Sequence, residues 1–351
     1  MGINKIKFLY KFLIIACFWV NNSQSSYAIS SKLNGTITNY RPTLFPVQDQ
    51  QGRLQIVIRL FNQDKELYAL LVDPYSLAVS QSRFSVLTLR KAGAKGNLPG
   101  YFTWQELEDS PYIRLIRHCE KPPYPLQNDG IKHALGVSEG YFLTIDMCPS
   151  SKTFDKEFFE KLIALNSKQA SFPIGIGITG LWMLSHPHEF SWLCKQQSQG
   201  KLSITWVNHT FRSQYYHDLP LEKNFLRFSM VELPEEERIR FIQASLQDEV
   251  LLTEQLLLER GQLPSVFFRF PGLVSDEYLM RMISNLGLIP LGTDAWLAKN
   301  EQPQLGSIIL VHANGNEPSG LAKFMKWLDG TNKKDIKWLS LMHLAQGLIS
   351  S

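Results

Sequence analysis

From residue 141 to the end of the chain, short apolar runs alternate with stretches of helical period, which predicts an α/β fold: a parallel sheet or barrel with its helices outside. Two further observations shape that expectation. A smaller β-rich region precedes the alternating part, and almost every strand of the alternating part ends in polar or ionisable residues.

The preceding region reads as strands and loops. Leu54, Ile56, Ile58 and Leu60 alternate, residues 62–66 form a polar turn, and residues 67–72 make a second apolar run, the pattern of a hairpin. Residues 84–89 read as another strand. The Pro-rich stretch 121–125 and the turn signal Asn128-Asp129-Gly130 lead out of this region, which carries no recognisable chemistry. In the second part, strands are expected at 141–145, 173–178, 202–207, 266–270, 288–292 and 307–311. Phe154, Phe158, Leu162 and Leu165 have helical spacing, and residues 189–197 read as a helix. A long helix is expected from Pro234, a good first-turn residue, to Gly261, a good stop. Further helices follow Ser275 and Gly320.

The first residues are not expected to belong to the fold. Lys5, Lys7 and Lys11 precede an apolar run over 12–20, and the polar stretch after it reaches Ser26-Tyr27-Ala28. That is the order of a secretory signal peptide, so residues 1–28 are expected to be removed and the protein to be exported, periplasmic or secreted. The run is too short to span a bilayer, and no transmembrane domain is expected after cleavage. Ile14-Ile15-Ala16-Cys17 also resembles a lipoprotein cleavage box, but apolar residues continue through Val20. The expected organisation is a signal peptide (1–28), a β-rich region of unknown role (29–137) and an α/β barrel (138–351).

Composition narrows the classes. The chain has 351 residues, 44% hydrophobic and 19% charged, as ordinary globular proteins do. Its net charge of +4 forms no basic block, which argues against nucleic acid as a partner. After cleavage Cys119, Cys148 and Cys194 remain. In an oxidising compartment two could pair and one would stay free, and no CxxC spacing points to a thiolate zinc site.

The strand ends carry Asp146, Asn208-His209-Thr210, Arg269-Phe270-Pro271-Gly272, Asp294-Ala295-Trp296 and His312-Ala313-Asn314-Gly315. Taken singly, such residues are more often caps or satisfied core groups. Five in succession are harder to dismiss, because chemistry in such barrels sits at the C-terminal ends of the strands.

Leu143-Thr144-Ile145-Asp146, Asn208-His209-Thr210, Arg269-Phe270-Pro271-Gly272, Asp294-Ala295-Trp296 and Ile309-Leu310-Val311-His312 resemble, in order, the five motifs of the polysaccharide deacetylase (NodB-homology) family of carbohydrate esterases. The resemblance covers about residues 140–348. It implies a distorted (β/α) barrel and metal-assisted hydrolysis of N-acetyl or O-acetyl groups on a polysaccharide or oligosaccharide. It also implies that Asp146 is the general base, oriented and tuned by Arg269, and that His312 is the general acid with Asp294 as its partner. Pro271, Gly272 and Trp296 would shape the sugar-facing wall, and His209 would ligate the metal. Hydrolysing an acetamide needs these types: an activated water, a base to deprotonate it and an acid to protonate the departing amine.

The chain departs from that pattern at two of three ligand positions. Met147 stands where the family has a second aspartate, and Ser213 where it has a second histidine four residues after the first. A thioether is a poor exchange for a carboxylate, so a divalent, zinc-type metal is expected to be weakly held or absent. Three readings follow: a rebuilt site drawing on His217 or Asp218, hydrolysis without a tightly bound metal, or an impaired relative that binds glycans or regulates a partner. Pro220 disfavours helix at Leu219 and leans the segment towards a turn that could return His217 to the pocket, yet His217 is expected to point away, because surface histidines near Asp and Tyr are common and need no metal. His186 and His188 read as a surface turn, and Cys148 as a disulfide half or a pocket-lining thiol.

Overall fold

The computed structural model describes residues 36–89, 91–92, 101–102, 107–136, 138–165, 171–224, 234–330 and 336–345. The expected signal peptide lies outside the described residues. Strands β1 (Ile37–Gln48), β2 (Leu54–Gln63), β3 (Glu66–Val72) and β4 (Val79–Arg83) form an antiparallel meander, and β5 (Thr88–Leu89) pairs with the end of β1. The β2–β3 turn falls on Asp64 and Lys65, both at positive φ, the hairpin geometry whose twist matches the strands it joins. Residues 84–89 depart from the expected strand: 84–86 make a 3-10 turn, because Phe84 tucks inward against the edge of Phe45. Short strands β6 (Lys91–Ala92) and β7 (Tyr101–Phe102) pair in parallel, and α1 (Pro111–Cys119) starts with Ser110 capping the Ile113 amide.

The expected alternation of β2 holds only to Ile58. A register shift against β3 between Val57 and Arg59 changes the phase, so that Ile56, Ile58 and Phe61 join the main core while Val57 and Leu60 fill a small cluster elsewhere. Arg59 is fully buried. Its Nε and Nη2 donate to the two carboxylate oxygens of Glu254 at 2.6 and 2.8 Å, and Nη1 donates to the Leu286 carbonyl at 2.6 Å. Tyr40 adds a third donor to Glu254 at 2.8 Å. This buried fork joins the antiparallel sheet to the second part of the chain.

That second part runs β8 (Phe142–Met147), α2 (Lys156–Leu165), β9 (Phe172–Ile178), α3 (Gly180–Ser185), α4 (Pro187–Ser198), β10 (Leu202–Asn208), α5 (Glu235–Glu259), β11 (Phe267–Phe268), α6 (Glu277–Asn285), β12 (Ile289–Pro290), β13 (Ala295–Trp296), β14 (Ile308–His312) and α7 (Pro318–Gly330). The strands form one parallel sheet in the order β12-β11-β10-β9-β8-β14-β13. Its edge strands are consecutive in sequence. Laid flat, seven strands would hold those edges about 29 Å apart, yet the link from Pro290 to Ala295 reaches at most about 18 Å. The sheet therefore curls, which is the distorted barrel expected. The long helix starts with three glutamates in its first turn and stops before Gly261 at φ 72, as a C-terminal glycine favours.

No pair of the three cysteines that could have paired is bridged: Cys119 is buried in α1, Cys194 lies on α4, and Cys148 follows β8. Among the described residues, no helix is long and apolar enough to cross a membrane.

Replacing Arg59 by Met should cost about 3–5 kcal/mol, because Glu254 is left buried without its counter-charge. Urea unfolding would show it, and Arg59→Met with Glu254→Leu should recover most of the loss.

Candidate active site

Because the sheet is parallel, the C-terminal ends of its strands share one mouth. Register fixes who meets whom there. His312 of β14 pairs with Asp146 of β8, Met147 pairs with Ile178 of β9, and Asn208 of β10 pairs with both Ile178 and Phe268. Gly177 sits opposite Asp146, where a Cβ would collide with the carboxylate.

Asp146 is buried and accepts from Arg269 Nη1 at 2.9 Å, while its other oxygen lies 3.8 Å from His209 Nε2. Arg269 is itself buried; Nη1 also donates to Thr144 Oγ1 at 2.8 Å, and Nη2 to the Gly292 carbonyl at 3.1 Å. Burial alone would raise the Asp146 carboxyl, but Arg269, His209 and His312 outweigh it and hold the group below its ordinary value. The expected approach of Arg269 to Asp146 is thus present.

His209 follows β10 directly. Its Nδ1 lies 2.9 Å from the Arg269 carbonyl, an acceptor only, so Nδ1 carries the proton and Nε2 faces the mouth. There it meets Cys148 Sγ at 3.3 Å. Burial would lower the His209 pKa, but Asp146 and then Cys148 raise it. The chain then turns sharply. Thr210 and Ser213 both take positive φ, the Ser213 amide donates to Thr210 Oγ1, and Arg212 binds the buried Glu249 of α5. No helix continues from His209, so Ser213 does not lie one helical turn along from it. His217 is far out on this loop, with its side chain 94% exposed beside Asp218.

His312 has a different partner from the one expected. Its Nδ1 lies 2.9 Å from Glu317 Oε2, obliquely to the ring, and the same oxygen accepts from Trp296 Nε1 at 3.1 Å. Asp294 faces the other way: one oxygen accepts from the Ile308 amide, and the other lies 2.7 Å from His133 Nδ1. The pairing of His312 with Asp294 is therefore corrected to Glu317, since the Asp294 carboxylate is occupied at the opposite end of β14. Burial alone would lower His312, but the Cys148 thiol first and Glu317 next raise it to about 10. Glu317 carries no signature in the sequence; it was missed because it lies in the turn after β14.

The expected sugar wall is also changed. Trp296 is buried, its ring covered by the Lys299 ammonium at 3.9 Å, so it anchors Glu317 and offers no open face. Gly272, at φ 58, gives way to the ring of Tyr215, with which any Cβ would collide. Pro271 is buried beside it. His186 sits at the α3–α4 junction, stacked on Trp182, and His188 is exposed on the first turn of α4.

The donors present do not fit the metal that the resemblance implies. Met147 points into the core with no exposure, Ser213 lies on the strained turn, and His209 Nε2 is met directly by a thiol. Among the described residues, no group of three or more His, Cys, Asp or Glu side chains is arranged to hold an ion.

The N-terminal part matches the family model of the RP012 protein N-terminal domain over residues 38–113. Among solved structures, the chain is similar to a peptidoglycan N-acetylglucosamine deacetylase, at 14% identity and TM-score 0.44, covering 62% of this chain and 92% of that one. It is similar to a family 4 carbohydrate esterase from Bacillus anthracis, at 18% and 0.42, covering 63% and 88%. It is also similar to a family 4 pseudoenzyme from Bacillus anthracis, at 13% and 0.40, covering 61% and 68%. The overlaps are partial, and the site described above stands on this chain's own strands and side chains.

Two outcomes are expected. Zinc should raise the melting temperature little, because a ligand stabilises only when its concentration exceeds its dissociation constant. Arg269→Met should destabilise most near pH 7. In the native protein, Asp146 contributes stability above its unfolded pKa and loses it as pH falls through the lowered folded value. In the variant the Asp146 carboxylate is buried without its guanidinium and is raised, so the deficit should already shrink as pH falls from 7 towards about 4. Melting temperatures at both pH values check this.

Proposed function

We propose that this protein is a hydrolase of the polysaccharide deacetylase kind, removing acetyl groups from an N-acetylated envelope or extracellular glycan after export. The observation that carries this reading is the adjacency of a base and an acid: Asp146, ionised by Arg269, beside His312, backed by Glu317, on neighbouring strands at one mouth. In this reading Asp146 deprotonates the attacking water and His312 protonates the departing amine or alkoxide. Arg269 orients Asp146, and Glu317 holds His312 in the protonated state that a general acid needs. No step is routed through a metal. Pro271 and Gly272 then shape the mouth by seating the loop that carries Tyr215, not by touching sugar. We also propose that residues 29–137 and 138–351 are distinct units that share one core, joined by the Arg59–Glu254 fork.

A second reading has its own support. With Met147 in the core and Ser213 on a turn, two of the three family ligands are gone, which suits an impaired relative that binds glycan or regulates a partner.

Acetate release from acetylated chitin oligomers and from peptidoglycan separates the two. Activity should be present, His312→Ala should reduce it by about 100-fold or more, and His209→Ala should reduce it less. No release from either polymer, with binding retained, would favour the second reading. The alkaline limb of the rate profile should fall near pH 10, where His312 loses its proton. Glu317→Gln removes an anion that favours the imidazolium and should move that limb to lower pH.

A further inference from the structure

Cys148 lies at the mouth, and the proposed acid and base do not use it. It is partly exposed, unbridged, and held in place on both sides. Asn314 Nδ2 donates to its carbonyl at 2.7 Å, and Thr179 Oγ1 donates to the preceding Met147 carbonyl at 3.0 Å. Its Sγ lies 3.3 Å from His209 Nε2, and it is hydrogen-bonded to the His312 ring as well. Each of these imidazoles is oriented from behind. The Arg269 carbonyl takes the Nδ1 proton of His209, Glu317 faces Nδ1 of His312, and the Trp296 indole fixes Glu317. A thiol, an imidazole and a carboxylate in this sequence of contacts are the parts of an activated nucleophile, recognised by geometry and not by chain order.

We propose that Cys148 is a nucleophilic thiolate which takes the acetyl group as a thioester, with His312 and Glu317 completing a cysteine–histidine–carboxylate triad. This deepens the deacetylase reading and rests on it for the natural substrate. The thiolate sulfur forms a bond to the acetyl carbonyl carbon, and the C–N or C–O bond to the sugar breaks. The His312 imidazolium gives its proton to the leaving amine or alkoxide and becomes neutral. Water then adds to the thioester carbonyl, passing a proton through Asp146 and His209 or directly to His312, and the C–S bond breaks. Acetic acid leaves, the thiolate is regenerated and His312 is again protonated. Amide plus water thus gives amine plus acid, with no metal and no redox partner.

The surroundings agree with this arrangement: two imidazoles meet the Cys148 sulfur, whereas Cys119 lies in the apolar core with the Pro290 carbonyl beside its sulfur. Met147 and Ser213 also acquire a reason. A nucleophilic thiolate cannot share its imidazole with a tightly held ion, and two substitutions that empty the ion's site leave His209 to the sulfur.

The test uses the full chain and two probes. With iodoacetamide at pH 7, Cys148 should be alkylated roughly tenfold or more faster than Cys119 and Cys194, and His312→Gln should slow it toward their rate. With p-nitrophenyl acetate, peptide mapping should find one acetyl group on Cys148, and Asp146→Asn should make that adduct accumulate. If Cys148→Ala releases acetate from glycans at the native rate, the nucleophile is overturned and the deacetylase reading stands. If the thiol reacts and is acetylated but no glycan yields acetate, the deacetylase reading falls and the nucleophile stands. A thiol that reacts only after treatment with a chelator would be a metal ligand, which also overturns the proposal.

Discussion

One buried guanidinium organises the mouth of the sheet. Arg269 follows β11, donates to Thr144 and Asp146 on β8 and to the Gly292 carbonyl beyond β12, and through its own carbonyl orients His209 after β10. A guanidinium taken out of water costs several kcal/mol unless its donors are satisfied, and a carboxylate is the partner that repays most. Without it, Asp146 would be a buried carboxyl driven towards its neutral form, and His209 would lose the acceptor that fixes its tautomer. The geometry of the mouth is thus a by-product of satisfying one cation. Lysine in that place would present a point charge where a planar fork is needed.

The same device recurs in the β-rich region. Arg59, brought to the sheet's inner face by the register shift beside it, forks onto Glu254 towards the C-terminal end of α5 and onto the Leu286 carbonyl after α6. Helix α5 thereby has two duties. Glu254 clasps the antiparallel sheet, while Glu249, little more than a turn earlier, binds Arg212 on the loop that turns the chain away from His209. Asn208 donates to the Val250 carbonyl between them. Through α5 the β-rich region therefore bears on the loop that sets the mouth.

What was legible in the sequence was what depends on period and order. Alternating runs gave the parallel sheet, and residues at strand ends gave Asp146, His209, Arg269 and His312, because parallel register carries sequence position directly into space. What was not legible depends on how individual turns close. Leu60 changes face because of a one-residue shift that no hydrophobic pattern records. Asp294 is drawn to His133, from a segment before β8 with no visible link to it. Glu317 reaches His312 only because the turn after β14 folds back, and Cys148 meets His209 only because β8 ends at Met147. The three cysteines went unpaired for a related reason: an oxidising compartment permits a bridge, but only neighbouring Cα positions make one.

Charge balance links these late additions to the missing ligands. A divalent ion at this mouth would bring two positive charges, set against carboxylates. Here Met147 removes one carboxylate and Ser213 one imidazole, and the positive charge comes instead from His209 and His312, both raised above their ordinary values. Facing them are Asp146, Cys148 and Glu317, each lowered, with the Arg269 guanidinium alongside. Groups of opposite sign are thus paired at the mouth without any ion, which offsets the cost of burying them. They are also interdependent. Neutralising the thiol removes the largest influence raising His312, and removing His209 takes away the largest influence lowering the thiol. An ion entering beside His209 would have to displace the sulfur or share it, and in either case the imidazolium that stabilises the thiolate would be lost. Metal binding and thiolate chemistry are on these grounds alternatives at one position, and the residues this chain carries there favour the sulfur.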